Sequence, residues 1–471
     1  MNFYSKQLFL DQFTPVSIYE KIKNLYKEEI TFLFESTISS NNDGNFSYII
    51  IGARERIWYK NGICKFLDES NKETIVNSNP LKFLKEYYKN FDKEFYKNIS
   101  NELKIGLVDG FIGNIGYDIS KEFEPKLQES MNNLEDQLNI PDLDLIRPKI
   151  VLAFSHKTSK LTLLTMMQSK QKELERLEKE LLKPYIYTPL KKAKILDEGK
   201  FNYTKDEFFS TIKKAKEMIK SGDIFQILIS NRFIQKATVD YISFYRVLRS
   251  KNPSPYLYLL EFEEFSIAGS SPEVMIRLVD NHLLLRPIAG TRKRGSTLEK
   301  DLSLEKELIN NEKEKSEHLM LVDLGRNDVG RVAKAGSVKV TDLMRVEKYS
   351  HVMHMVSDVE AILDNTKYDM FDLFMSTFTA GTMTGAPKIR AMELIAQYEK
   401  IKRNFYSGSI AYFGFNGDMD SAITIRTSLL TKDKIVFQAG AGIVADSIED
   451  DEYLEVQNKL AANIATLKDL S

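Results

Sequence analysis

The hydrophobic pattern of the first 165 residues consists of short apolar runs separated by charged, helix-like segments. Residues 47–52 and 149–154 are nearly uninterrupted apolar runs, and residues 31–36 have a similar composition. Runs of this length that are rich in β-branched and aromatic residues are typical of buried strands. The glycine-rich stretch 110–117 fits neither the dinucleotide-binding nor the P-loop spacing. We therefore predict that it is a strand with close backbone contacts.

Residues 168–183 combine glutamate and lysine neighbours with a helical period, and this pattern predicts an exposed helix. Pro184 and Pro189 end that helix, because proline cannot continue one. Residues 184–202 are the best linker candidate, and we predict a boundary near residue 195. The chain would then contain an N-terminal domain, residues 1–195, and a C-terminal domain, residues 196–471.

The C-terminal part begins with an amphipathic helix that Thr204 would cap, with Glu207 three residues later, and that runs to Ser221 and Gly222. Strands and helices then follow without regular alternation, which favours an α+β fold over a doubly wound parallel sheet. Strands are predicted at 225–229, 256–260, 266–268, 275–278, 283–287, near 337–340, around 352–359, and at 409–415, 422–430 and 435–441. Helices are predicted from 314, from 370, from 387 to about 397, and over 450–468.

The bulk composition is that of an ordinary globular protein with enough length for two or more domains. The 471 residues are 43% hydrophobic and 28% charged, and 66 basic against 67 acidic residues give a net charge of −1. This balance gives no electrostatic reason to expect nucleic acid or an anionic membrane as a partner. No apolar run reaches the roughly 20 residues that span a bilayer, and the N-terminus lacks a signal-peptide layout. We therefore expect a cytoplasmic protein.

The chain has one cysteine, Cys64, so it can form neither an internal disulfide nor a cysteine zinc cluster. Cys64 is not on the kind of tight turn that exposes a nucleophile, and we expect a packed or edge-strand residue. The chain therefore carries no thiol suited to hydrolysing glutamine.

Two acidic segments have carboxylates at helical spacing. In the first, Glu314 and Glu317 share a face with Leu321, and the apolar residues 319–324 stop at Gly325, which predicts a helix end there. In the second, Glu452 and Glu455 share a face with Lys459 and Ala462. Taken alone, each segment is more typical of a solvated charged face.

If the two helices meet, four carboxylates converge. Like charges that close cannot all ionise without a cation between them. A ligand set made only of oxygen selects a hard ion, and Mg²⁺ usually completes its shell with waters and an anionic substrate. The residues alone thus indicate a possible Mg²⁺ site for an acidic small molecule.

Six further stretches carry polar groups at the ends of predicted elements. They supply a carboxylate on a tight turn, a hydroxyl beside two guanidiniums, two histidines on one strand, a helix N-terminus that favours an anion, an arginine on a strand, and small residues that let backbone N–H groups approach a ligand. In that order they are 269–273, 286–292, 349–354, 380–388, 422–427 and 438–443.

Together, these motifs resemble the chorismate-utilising enzymes, which include anthranilate synthase component I, aminodeoxychorismate synthase component I, isochorismate synthase and salicylate synthase. The resemblance covers residues 205–465 strongly and the N-terminal part more loosely. It implies a large α+β chorismate-binding fold of mixed and antiparallel sheets with surrounding helices, an N-terminal α/β regulatory part, and dependence on Mg²⁺.

The resemblance also implies roles for individual residues. Glu273 would be the general acid that protonates the departing C4 hydroxyl, since hydroxide leaves poorly, His354 would assist the loss of pyruvate, and Thr382 would act in the same pocket, whereas His351 is expected to be structural. The implied metal ligands are Glu314, Glu317, Glu452 and Glu455. The implied substrate-binding residues are Gly290, Thr291, Tyr412, Arg426, Ala439, Gly440, Ala441, Gly442 and Lys459.

Two positions favour one member of this family. Gln226 stands where the isochorismate and salicylate synthases carry a lysine that activates water, so ammonia is the expected nucleophile. Ala289 stands where many aminodeoxychorismate synthases carry a lysine that attacks the ring. The expected protein is the large subunit of an anthranilate synthase, which adds ammonia at C2 of chorismate and releases pyruvate. An aminodeoxychorismate synthase component I and a catalytically silent tryptophan sensor remain alternatives.

The N-terminal part resembles the feedback site of anthranilate synthases, with Phe34 where leucine is usual. The implied tryptophan-binding residues are Glu35, Ser36, Asn252, Pro253, Ser254, Pro255 and Tyr256. Because the chain lacks a suitable thiol, the resemblance implies a glutamine amidotransferase partner on a separate chain, which free ammonium should replace.

Overall fold

The computed structural model describes residues 2–36, 46–349 and 352–471. Its strands are Tyr4–Phe9, Thr31–Glu35, Phe46–Lys60, Ile63–Leu67, Glu73–Val76, Gly110–Ile115, Leu143–Ser155, Lys160–Thr165, Lys194–Ile195, Lys200–Phe201, Gln226–Thr238, Tyr256–Glu261, Ser266–Ser271, Val274–Val279, His282–Leu285, Ile288–Lys293, Lys339–Lys348, Val352–Ile362, Gly385–Ala386, Ser409–Gly414, Met419–Ile423, Thr427–Leu430 and Lys434–Ile443. Its α-helices are Pro15–Leu25, Pro80–Tyr88, Lys93–Leu103, Ser120–Phe123, Gln128–Met131, Gln171–Leu181, Lys205–Lys220, Tyr241–Lys251, Leu298–Asn310, Glu312–Gly330, Met370–Thr377, Lys388–Glu399 and Glu449–Asp469.

Antiparallel pairings join strands from distant parts of the sequence. Thr31–Glu35 pairs with Tyr256–Glu261, and Gly110–Ile115 pairs with Ser409–Gly414. The expected α+β class with mixed helices and antiparallel sheets is confirmed. The division of the chain near residue 195 stays a prediction.

Two large apolar clusters form the core, and each anchors one of the two acidic helices. Val322 and Val329 of the helix Glu312–Gly330, called here the Glu314 helix, are buried in the first cluster. Val456 and Leu460 of the helix Glu449–Asp469, called here the Glu452 helix, are buried in the second. Both helices therefore have a fixed apolar side, from which their carboxylates are positioned.

Several elements agree with the pattern in the sequence. Thr204 caps the helix Lys205–Lys220 in a capping box with Glu207. The stretch 110–117 begins as a strand, and a Cβ at Gly113 would lie 2.1 Å from the backbone oxygen of Asp144. Cys64 is buried in the strand Ile63–Leu67, where burial raises the pKa of its thiol to about 12. Within the described residues, every helix is too short or too polar to span a bilayer.

The prediction that Gly325 ends the Glu314 helix is wrong. The helix continues to Gly330, and a Cβ at Gly325 would lie 2.8 Å from a methyl group of Leu285. Gly325 is therefore a packing glycine, where the helix backbone approaches the neighbouring strand.

Other boundaries also differ from the pattern-based expectation. The predicted strand 422–430 is two strands separated by Arg426, which has a positive φ of 52° and does not lie on a strand. The linker candidate 184–202 contains two short strands that pair with Gln226–Thr238. The helix over 168–183 is not fully exposed, because Leu174, Leu177 and Leu181 are buried. The helices Tyr241–Lys251 and Leu298–Asn310 were not expected.

Candidate active site

Glu273 is a buried carboxylic acid in the turn between the strands Ser266–Ser271 and Val274–Val279. Its backbone oxygen accepts a hydrogen bond from Ile423 N at 3.0 Å. The residue as a whole is only 6% exposed. Thr382 Oγ1 donates to Glu273 Oε1 at 3.0 Å. Burial raises the pKa of Glu273 to about 8, against smaller opposing effects of Thr382 and the Lys459 charge. Near neutral pH this carboxyl is mostly protonated.

The loop 380–382 brings Thr382 to Glu273. A Cβ at Gly381 would lie 2.1 Å from Leu324 Cδ2, so glycine allows the loop to pack closely on the Glu314 helix. Glu273, Thr382, Gly325 and Asp328 are among the residues that line a cavity of about 20 Å³ between the loop and the helix. A cavity of this size holds about one water molecule.

His354 lies on the strand Val352–Ile362, directly opposite Thr291 on the strand Ile288–Lys293. Its Nδ1 is 3.0 Å from Thr291 Oγ1 and 3.4 Å from the carbonyl oxygen of Gly290. Because a carbonyl only accepts, this contact favours a proton on Nδ1 and leaves the Nε2 lone pair available. Burial lowers the pKa of His354 to about 4, and the Arg426 charge contributes in the same direction. The imidazole is therefore neutral at physiological pH.

Two cations, Lys459 and Arg426, lie at the middle of the Glu452 helix. Lys459 Nζ donates to the carbonyl oxygen of Gly440 at 2.8 Å and pairs with Glu455 at 2.5 Å. Arg426 Nη1 donates to the backbone oxygen of Lys459 at 2.8 Å. Burial lowers the pKa of the Arg426 guanidinium, against the opposing charges of Tyr406 and Glu455. This pair of cations suits a ligand with two anionic groups.

The four predicted metal carboxylates come from the two acidic helices, and the structure brings them into electrostatic contact. The pKa of Glu317 is raised first by burial and then by the charges of Glu314, Glu452 and Glu455. Burial also raises the pKa of Glu452, and the Glu455 charge adds to it.

Three of these carboxylates are held by protein donors. Arg292 Nη1 donates to Glu314 at 2.8 Å, Ser447 Oγ donates to Glu452 at 2.6 Å, and Lys459 pairs with Glu455. Within residues 2–36, 46–349 and 352–471, no group of three or more aspartate, glutamate, histidine or cysteine side chains is already arranged to hold a metal ion. The chemistry of the donor set, four carboxylates and no nitrogen or sulfur, fits a hard divalent cation such as Mg²⁺.

Comparisons with known proteins decide the family. The sequence profile described as chorismate binding enzyme matches residues 34–465. The chain belongs to the chorismate-binding enzyme family.

Individual relatives show which kind of chorismate-binding enzyme the chain resembles. The chain is 40% identical to "Anthranilate synthase component 1" of Aquifex aeolicus over 97% of this chain and 92% of the relative. It is 37% identical to the protein of that name in Neisseria meningitidis serogroup B, over 98% and 93%. The crystal structure of anthranilate synthase component I from Streptococcus pneumoniae superposes with a TM-score of 0.78 at 32% identity, covering 97% of this chain and 98% of that one. The resemblance inferred from the motifs is confirmed.

Two tyrosines of this chorismate-binding enzyme differ in whether the charge of Arg426, a predicted substrate-binding residue, acts on them. Tyr412 is half-buried with its hydroxyl close to Gly106, and the nearby charges that affect it are Asp420 and Tyr48 rather than Arg426 or Lys459. Tyr406, which sequence reasoning missed, lies close enough to Arg426 for their charges to interact. Its only signal in the sequence is its place in the turn before the strand Ser409–Gly414.

The small residues of the strand Lys434–Ile443 have a packing role of their own. A Cβ at Gly440 would lie 2.7 Å from the backbone oxygen of Ile229, and one at Gly442 would lie 2.7 Å from Gln226 Nε2. Gln226 Oε1 is buried without a hydrogen-bond partner among the described residues. Ala439 and Ala441 are also buried. The part that Ala439, Gly440, Ala441 and Gly442 play in substrate binding stays a prediction.

The two segments of the predicted tryptophan site are neighbours in this chorismate-binding enzyme. Glu35 pairs with Leu257 across adjacent strands, which places Ser36 near the turn 252–256. Glu35 accepts a hydrogen bond from Tyr245 and pairs with Arg249, both at 3.1 Å. His351 lies outside the described residues.

The turn 252–256 also contacts the segment that leads to Glu273. Asn252 Nδ2 donates to the backbone oxygen and hydroxyl of Ser270, at 3.3 and 3.2 Å. Tyr256 donates to Asp420 at 3.0 Å, and Ser254 is buried between Pro253 and Pro255. Ser270 is three residues before Glu273, so these hydrogen bonds and a short stretch of backbone connect the turn to the Glu273 carboxyl.

Proposed function

We propose that this chain is the large subunit of an anthranilate synthase. It would convert chorismate and ammonia into anthranilate, pyruvate and water, the first committed step of tryptophan synthesis. The name shared by relatives that match along nearly the whole chain supports this assignment. The observation that carries the mechanism is the buried Glu273 carboxyl, which keeps its proton near neutral pH.

Glu273 would give that proton to the C4 hydroxyl of chorismate as the C4–O bond breaks and ammonia forms a bond at C2. The C4 hydroxyl, which leaves poorly as hydroxide, then departs as water. The ring double bonds shift as C2 gains a bond and C4 loses one, so the electron count of the ring is unchanged. The cavity beside Glu273 has room for one such water molecule. Thr382, which donates to Oε1, would orient the carboxyl toward the substrate.

His354 would act in the second half of the reaction. The available Nε2 of a neutral imidazole can take the proton from C2 while the enolpyruvyl group leaves and is protonated to pyruvate. Thr291 and Gly290 fix the ring through Nδ1. The positively charged Arg426 and Lys459 would bind the negatively charged carboxylates of chorismate.

A bound Mg²⁺ would be held by Glu314, Glu317, Glu452 and Glu455 and would offset the repulsion between these carboxylates and the ring carboxylate. The interaction of Glu317 with the other three charges supports this assignment.

Ammonia would come from a glutamine amidotransferase partner, because the single thiol of this chain is buried and protonated. The designation "component 1" of the relatives is consistent with a second component. Ala289 offers no amine to attack the ring and Gln226 no base to activate water, so ammonia at C2 is the favoured nucleophile.

The purified chain with chorismate, Mg²⁺ and an ammonium salt tests the proposal, with products identified by chromatography against standards. We expect anthranilate and one pyruvate for each chorismate consumed. A para-substituted amine would support the aminodeoxychorismate synthase alternative. No aromatic amine, with tryptophan still binding, would support the silent sensor.

We also propose that tryptophan inhibits the enzyme by binding to Glu35, Ser36, Asn252, Pro253, Ser254, Pro255 and Tyr256. The contact between Asn252 and Ser270 supports a connection from this site to Glu273.

Replacing Ser36 by arginine should raise the inhibitory tryptophan concentration by about tenfold or more, because a bulky charge at a half-buried position costs at least about 1.4 kcal/mol of binding. Dose–response curves for ammonia-dependent turnover check this expectation. Ser210→Arg, at an exposed position on the helix Lys205–Lys220, is the matched control. If tryptophan leaves the unmutated enzyme fully active, this regulatory proposal fails.

A further inference from the structure

Arg292 pairs with two carboxylates at the edge of the four-carboxylate cluster, and its Nη1 also donates to the backbone oxygen of Thr291 at 2.8 Å. Its Nε and Nη2 donate to the two oxygens of Glu307, at 2.6 and 2.9 Å. Its Nη1 donates to Glu314 Oε1 at 2.8 Å. Arg292 lies at the end of the strand Ile288–Lys293, and Glu307 lies on the helix Leu298–Asn310. The guanidinium thus joins three elements, the third of which is the Glu314 helix.

The contact with Arg292 leaves one oxygen of Glu314 available. Oε2 accepts no hydrogen bond from the residues that the structure describes, and it would lie 2.9 Å from a Cβ added at Gly290. Gly290 has a positive φ of 68°, and its carbonyl oxygen contacts His354. Oε2 is therefore directed toward the segment that also positions the catalytic imidazole.

The guanidinium keeps its position without help from Glu314. The two-point pairing with Glu307 fixes the plane and direction of the group, as is usual for arginine and a carboxylate. The Arg292 side chain is 22% exposed and that of Glu314 is 20% exposed, so water screens their contact only in part.

We propose that Arg292 is a positioning residue for the divalent cation. It holds Glu314 by one oxygen and presents the other to the metal, and Glu307 anchors it. This inference rests on the proposed metal of the preceding section. Carboxylates that bind metals usually have such a hydrogen-bonding partner, and its loss typically lowers metal affinity by about 10- to 100-fold.

The chain contains a matched control at Arg294. It lies two residues further along and forms the same two-point pairing with Asp301 of the same helix, with contacts of 2.9 Å from Nε and Nη2. The described residues show no contact between Arg294 and any of the four cluster carboxylates. Arg294→Gln therefore removes an equivalent ion pair between the same segment and helix without touching Glu314.

Calorimetric titration of the full chain with Mg²⁺ tests the inference without relying on turnover. We expect Arg292→Gln to lower Mg²⁺ affinity by about tenfold or more, Glu307→Gln to lower it less, and Arg294→Gln to leave it unchanged. Arg292→Lys should restore part of the affinity, since a single ammonium donor can reach Glu314 but cannot form the fork. Excess Mg²⁺ should restore kcat in Arg292→Gln.

The outcomes separate the inference from the proposed function. If the unmutated chain binds Mg²⁺ and Glu317→Gln does not, equal or tighter binding by Arg292→Gln overturns the role of Arg292 while the metal site stands. Tighter binding would identify Arg292 as a competing cation. If the unmutated chain binds no Mg²⁺, the metal assignment and the inference both fail. Thermal unfolding of Arg292→Gln and Arg294→Gln shows whether each variant folds.

Discussion

Glu273→Gln is expected to lower kcat for anthranilate formation by about a thousandfold, within the 10²- to 10⁴-fold range of general acid catalysis, while KM for chorismate stays nearly unchanged. The amide matches the carboxyl in shape and still accepts from Thr382, but it has no proton to give to the C4 hydroxyl. Steady-state kinetics with ammonium as the nitrogen source measures both constants.

Glu261→Gln is the matched control for this prediction. Glu261 is as buried as Glu273, and burial raises its pKa too, but it is bonded to Tyr19 and paired with Lys23, away from the site. It should keep normal turnover. Near-normal turnover in Glu273→Gln would remove Glu273 from its role.

The stability of Glu273→Gln provides a second check that the variant folds. The folded pKa of Glu273, about 8, lies above its ordinary value of 4.5. The stability that the protonated carboxyl contributes is therefore complete below about pH 4.5 and is lost as the pH rises through about 8. Glu273→Gln has no such group to ionise, so its melting temperature should exceed that of the unmutated protein most clearly above pH 8.

Glu317→Gln is expected to reduce Mg²⁺-supported turnover by about a hundredfold or more. A catalytic cation typically stabilises the transition state by several kcal/mol, and each 1.36 kcal/mol changes the rate about tenfold. Glu317 is the carboxylate whose pKa responds to all three of the others, so its loss removes the centre of the cluster. Chelation of Mg²⁺ from the unmutated enzyme should have a comparable effect, reversed by added Mg²⁺.

Glu312→Gln is the control for this second prediction. Glu312 lies on the same helix, is strongly exposed and pairs only with Lys315 among the described residues. Its replacement should leave the Mg²⁺ dependence unchanged. Full activity of Glu317→Gln in a chelating buffer would contradict the metal assignment.

Local patterns in the sequence were sufficient for features that depend on neighbours along the chain. Thr204 with Glu207 predicted a helix start, and the three-residue spacing of Glu314 and Glu317 predicted that both carboxylates share one helix face. Both rest on helix geometry, which the order of residues specifies directly.

Features that depend on distant contacts were not predictable in this way. Gly325 has the appearance of a helix terminator, and only the proximity of Leu285 shows that it is a packing glycine. The break at Arg426 depends on a positive φ that no neighbouring residue signals. Tyr406 and Tyr412 are the same residue type and stand close together in the sequence, and only their surroundings in the folded chain show that Tyr406 is the one near Arg426.

The helix Leu298–Asn310 was missed because it buries no continuous apolar face. Leu308 is buried, whereas Leu298 and Leu302 are exposed. Its contribution to the site, the pairing of Glu307 with Arg292, joins residues 15 positions apart, a spacing that no helical or strand pattern indicates.

The proposed mechanism depends above all on Glu273 as the carrier of the catalytic proton. The pH dependence of kcat/KM for chorismate, measured at a fixed concentration of free ammonia, tests it most directly. Burial raises the pKa of Glu273 to about 8, so the active, protonated form prevails below that pH. We expect a rate that holds from pH 6.5 to near 8 and then falls about tenfold per pH unit, with no such fall in the residual activity of Glu273→Gln. An unmutated profile that stays level to pH 9.5, or that falls identically in the variant, would contradict it.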